Sequence, residues 1–87
     1  MEFRDAWQKV GEFEGQTLLT DRGEVFSYRF RKTYVVVSPG DVSIPRTNFE
    51  KVFRRLQHVE QAAAPAVQGQ RLITAIFGGV GIAAETD

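Results

Sequence analysis

Eighty-seven residues make about one small domain with a core of limited size, and 43% hydrophobic, 11% aromatic and 25% charged residues exclude a disordered or fibrous chain. The formal net charge is zero, unlike the strongly basic composition usual for proteins that coat nucleic acid. With no cysteine there is neither a disulfide framework nor a thiolate metal site, so stability must come from packing, and the composition fits a cytoplasmic protein.

In chain order, Phe3, Ala6, Trp7 and Val10 recur at the three- and four-residue spacing of an amphipathic helix, predicting a short helix over 2–10 that Gly11 can end. That opening mixes charges with isolated apolar residues and has no apolar h-region, so no signal peptide is expected. A turn signal at Asp21-Arg22-Gly23 separates two β-rich runs, which predicts that residues 16–20 and 24–31 pair as antiparallel strands. In the second run, the period of two sends Phe26, Tyr28 and Phe30 to one side and Val25, Ser27, Arg29 and Arg31 to the other. The aromatic side is the candidate core. Nothing in Arg31-Lys32-Thr33 favours a positive φ, so a loose hairpin is expected before the β-rich run 34–38. Ser38-Pro39-Gly40-Asp41 is a turn signal, and 42–44 can add a short last strand.

A second helix is expected near 48–57. Thr47 stands three residues before Glu50, a capping-box spacing. Phe49, Val52, Phe53 and Leu56 then form one apolar stripe, which leaves Lys51, Arg54 and Arg55 for solvent. Residues 60–70 look like a linker or a frayed helix end with Pro65 as breaker. The run 71–77 is a short helix or a buried strand stopped by Gly78-Gly79, and the tail 80–87 is an edge strand or loose. The uncharged stretch 72–84 contains three glycines and falls short of the roughly 20 residues that a membrane-spanning helix needs, so a soluble protein without a membrane partner is expected. The whole is one α+β domain over 1–87: an N-terminal helix, a three- or four-stranded antiparallel meander, an amphipathic helix on the sheet and an apolar C-terminal segment.

Three stretches of the chain resemble those shared by a group of small, largely uncharacterised bacterial proteins. They are a Gly-x-x-Phe-x-Tyr hairpin (Gly23, Phe26, Tyr28), an Ile-x-x-x-x-Phe-Glu-Lys helix start (Ile44, Phe49, Glu50, Lys51) and a late apolar segment. The resemblance covers about two thirds of the chain. Its motifs are fold-forming residues, so it implies a compact domain and no particular activity.

The chemistry-bearing residues argue against an enzyme. The one histidine, His58, falls at the end of the basic helix, where it suits the helix dipole better than it suits catalysis. No HxxH, CxxC or ExxH spacing appears, and Phe77-Gly78-Gly79-Val80-Gly81 lacks the pattern of a nucleotide loop, so no metal or other cofactor is expected. Two binding readings stand. Residues 1–20 and 56–87 each carry a net charge of −2, whereas 21–55 carries +4. Arg29, Arg31, Lys32, Arg46, Lys51, Arg54 and Arg55 are the candidate contacts to DNA or RNA phosphates, with Tyr28 or Tyr34, where exposed, free to stack on unpaired bases. The alternative is a homodimer, or docking on another protein, through the apolar C-terminal segment or a sheet edge.

Overall fold

A computed structural model describes residues 1–57 and 67–82. Its elements are α1 (Phe3–Glu12), β1 (Leu18–Leu19), β2 (Val25–Arg31), β3 (Tyr34–Ser38), β4 (Val42–Pro45), α2 (Arg46–Gln57) and α3 (Gln70–Gly79). The strands form one antiparallel meander in the order β1-β2-β3-β4. All three helices pack on one face of it, so the domain is a two-layer α+β sandwich as the sequence pattern requires.

The layering follows from alternation. Phe26 and Tyr28 are buried and Phe30 is half-buried, whereas Arg29 and Arg31 are exposed. Register extends the apolar face across the sheet, because Tyr28 lies opposite Val37, Phe30 opposite Val35, and Val35 opposite Ile44. Onto this face α1 brings Ala6, Trp7 and Val10, α2 brings Phe49, Val52 and Phe53, and α3 brings Ile73, Ile76 and Phe77. A chain of aromatic contacts ties the layers together. Trp7 meets Phe30 at 4.8 Å and Phe49 at 5.1 Å between ring centroids, and Phe77 meets Phe49 at 5.8 Å and Phe53 at 6.1 Å. Such pairs add about 0.5–1.5 kcal/mol each beyond the burial of their area.

Several local expectations are corrected. Gly11 does not end α1, which runs on to Glu12; a Cβ there would come within 3.1 Å of the Phe30 ring, so the glycine lets helix and strand approach. β1 shortens to two residues because the neighbouring length of β2 is already occupied: Gly15 N–H donates to the Tyr28 carbonyl at 3.0 Å, and the Glu14 carboxylate accepts Phe30 N–H at 2.8 Å. The β2–β3 connection is tight rather than loose, since Arg31 pairs directly with Tyr34. Among the described residues, Asp41 is the one non-glycine with positive φ, so Lys32-Thr33 turns without it. Tertiary bonds brace this turn instead. Trp7 Nε1–H donates to the Lys32 carbonyl at 3.1 Å, and Arg46 N–H to the Thr33 carbonyl at 2.9 Å.

That second bond also displaces the capping box. β4 passes into α2 at Pro45-Arg46, the Arg46 donor is satisfied from the β2–β3 turn, and Thr47 lies exposed inside the first turn. Glu50 turns to Arg54 at 2.9 Å. At the other end of the chain, the run 71–77 is helix, and α3 passes through Gly78 and Gly79. Gly79 is packed against Leu18 with no room for a Cβ. The stop is Gly81, at φ +86°, where Ile82 N–H donates to the Phe77 carbonyl at 2.8 Å and Gly81 N–H to the Gly78 carbonyl at 3.3 Å. This paired closure takes a left-handed residue and satisfies two orphan carbonyls. The linker reading of 60–66, His58 and the end of the tail lie outside the described residues.

Candidate nucleic-acid interface

The outer face of the sheet is built in cross-strand rows. From the β1–β2 end to the β2–β3 end these are Leu19 beside Val25; Ser27 beside Ser38; Arg29, Val36 and Ser43; and Arg31, Tyr34 and Pro45. No described helix covers this face. Leu19 is 61% exposed, Val25 60% and Tyr34 39%. The face therefore divides into an uncharged half and a half in which two arginines flank a valine and a tyrosine.

Of the seven basic residues singled out in the sequence, the fold brings four to one end of the sandwich. Arg29 and Arg31 project from β2 on the open face, two residues apart and so roughly 6.6–6.8 Å apart along the strand. Lys32 sits on the adjoining turn. Arg46 belongs to the same end but to its helix side, with its guanidinium carbon 5.1 Å above the Phe3 ring and 6.0 Å from that of Trp7. Stacking on two rings holds this cation in place, worth about 0.5–1 kcal/mol at an exposed site. Glu14 answers Arg31 at 3.8 Å.

The other three go elsewhere. The apolar stripe of α2 turns into the core as its spacing requires, which sends Lys51, Arg54 and Arg55 to the helix layer, away from the open sheet face. Arg54 is paired with Glu50. Arg55 is half-buried rather than free in solvent, donating to Gln70 Oε1 at 2.9 Å, and the same oxygen accepts Val67 N–H. Arg55 thus joins α2 to the start of α3.

The two tyrosines separate. Tyr28 is buried beneath the sheet, its hydroxyl donating to the Val10 carbonyl, and burial, assisted by the Glu14 charge, pushes its pKa up to about 12. It is not a stacking surface. Tyr34 is the ring that the open face presents.

For assembly, the geometry narrows the surfaces that the sequence offered among the described residues. Ile73, Ile76 and Phe77 are fully buried in this chain's own core, with Val80 and Ile82 nearly so. The β2 edge is closed by Glu14 and Gly15. On the β4 edge Pro45 has no N–H to offer, which blunts strand addition. Among the described residues Leu19 and Val25 are the most exposed large apolar side chains and lie side by side, with Met1 and Val42 exposed elsewhere.

At the opposite end from the basic cluster, a groove of about 890 Å³ opens between the β1–β2 and β3–β4 turns and the start of α3, floored by Phe26, Val37, Leu72 and Ala75. Arg71 and Asp21 pair across its mouth at 3.5 Å. Among the described residues no three His, Cys, Asp or Glu side chains converge as metal ligands, and no helix is long and apolar enough to cross a membrane. Compared with known proteins, the chain matches no family model, no curated protein and no solved structure.

Proposed function

We propose that the protein is a non-catalytic binding module that takes nucleic acid on the basic half of its open sheet face. The observation that carries this reading is the row structure of that face: Arg29 and Arg31 stand in successive rows, Lys32 follows on the turn, and the exposed Tyr34 ring lies in the row of Arg31. Guanidinium and ammonium groups so placed can track successive phosphates, and Glu14 is the one acidic partner that contacts them among the described residues. Zero net charge is compatible with this, because eight of the eleven basic residues lie in 21–55 against four of the eleven acidic ones. The module is read as cytoplasmic, in keeping with the cysteine-free composition.

The test is a fluorescence-anisotropy titration of labelled DNA and RNA at several salt concentrations. Affinity should fall as salt rises, and the double substitution R29E/R31E should abolish binding with the fold intact, whereas K51E/R54E should change it little. Equal losses from the two pairs, or no binding by the parent at low salt, would overturn the reading.

A second reading, assembly with a partner protein or a second copy, is favoured by the exposed Leu19–Val25 pair. Sedimentation of the parent and of L19S/V25S tests it: a mass that falls from dimer to monomer supports assembly, and a parent that is monomeric at high concentration and retains no protein partner removes it.

A further inference from the structure

Resting on the nucleic-acid reading above, we infer that the ligand is an unpaired polynucleotide strand rather than a duplex, laid across the two rows Arg29-Val36-Ser43 and Arg31-Tyr34-Pro45, with a base stacked on Tyr34. Duplex recognition in a major groove needs an element that projects, a helix or a β-ribbon, with its polar side chains at the tip. This fold presents neither beside the cluster. The β2–β3 turn has two residues, Lys32 and Thr33, and is tied back to the body by Trp7 and Arg46. The basic helix α2 lies in the layer under the sheet, where Glu50 takes up Arg54 and Gln70 takes up Arg55.

What the cluster does present is a shallow face with a π surface between charges. Tyr34 is flanked in its row by Arg31 and Pro45, and Arg29 and Val36 lie in the next row. A single strand exposes both things that these residues recognise, a phosphate for each arginine and an unstacked base for the ring. A duplex offers the phosphates but keeps its bases stacked on one another, which leaves Tyr34 without a partner. The charge complementarity ends at the Ser27–Ser38 row, since neither that row nor Leu19–Val25 carries a charge. The footprint is therefore short, a few nucleotides, and the salt dependence shallow. Three cations, Arg29, Arg31 and Lys32, correspond to a slope of about −2 on a single strand.

The probes are a labelled ten-nucleotide mixed-sequence strand, as DNA and as RNA, and each annealed to its complement. The expected result is at least tenfold tighter binding of the free strand than of the duplex, and a loss of about tenfold or more in Tyr34→Ala that Tyr34→Phe largely restores. Circular dichroism and thermal melting of both variants check that the half-exposed position has not unfolded the sheet. A duplex bound as tightly as the strand, or an unchanged Tyr34→Ala affinity, would overturn the single-strand inference and leave the basic-face reading standing. No binding of strand or duplex at low salt would overturn both.

Discussion

The Glu14 carboxylate accepts the Phe30 backbone N–H at 2.8 Å and reaches the Arg31 guanidinium at 3.8 Å. One side chain thereby closes a stretch of β2 that β1 is too short to cover. An uncovered strand edge is a template for pairing with another chain. Glu14→Ala should cost about 1.5–3 kcal/mol, the range for a hydrogen bond to a charged group, and should introduce concentration-dependent self-association. Glu14→Gln keeps an acceptor oxygen and should stay monodisperse. Urea unfolding and sedimentation velocity read the two effects, and an alanine variant as stable and monodisperse as the parent would show that the cap is dispensable.

Tyr28 couples the sheet to α1 and makes stability sensitive to alkali. Its ionisation is raised from the ordinary tyrosine value of 10 to about 12 by burial first and by the Glu14 charge second. The unfolded chain loses this proton near pH 10 and the folded chain near pH 12, so the contribution is complete below pH 10 and is lost as pH rises towards 12. Two pH units correspond to about 2.7 kcal/mol at most. Tyr28→Phe should be less stable than the parent at neutral pH by about 1 kcal/mol, for the lost bond to Val10, and the two denaturation curves should converge and cross before pH 12. Parallel stability profiles from pH 8 to 12 would refute the assignment.

The C-terminal helix packs Phe77 fully into this chain's own core. Phe77→Ala should destabilise by about 3–5 kcal/mol, a large part of the about 5–15 kcal/mol typical of a whole domain. The change should appear as a lower unfolding midpoint rather than as dissociation of an oligomer. A variant that melts like the parent but sediments as a lighter species would place Phe77 at an interface after all.

The ends of α2 and α3 give a paired contrast. Thr47→Ala, inside an exposed first turn, should shift stability by less than about 0.5 kcal/mol. Gly81→Ala imposes a left-handed conformation on a residue with a Cβ and should cost about 1–2 kcal/mol. Thermal melting of the two variants decides; a larger loss at Thr47 would restore the capping box.

Which residues are core was legible along the chain wherever one period held for long enough. The alternation of Phe26, Tyr28 and Phe30 against Arg29 and Arg31, and the stripe Phe49, Val52, Phe53, each name a buried face without reference to any other part of the molecule, because backbone geometry alone sets those directions. Element ends were not legible in the same way. Gly11 and Gly79 look like stops but are contact points, against Phe30 and Leu18, and the expected cap of α2 gives way to a bond from the Thr33 carbonyl, thirteen residues upstream of Arg46. Local propensity is worth a kcal/mol or so and yields to packing of that kind. The basic cluster follows the same division. Sequence determined that Arg29, Arg31 and Lys32 travel together and that Lys51 and Arg54 avoid the core. Only the tertiary structure decided that the second set lies in the opposite layer while Arg46 joins the first, because α2 can bury its stripe only by folding back under the sheet, and that turn begins at Arg46.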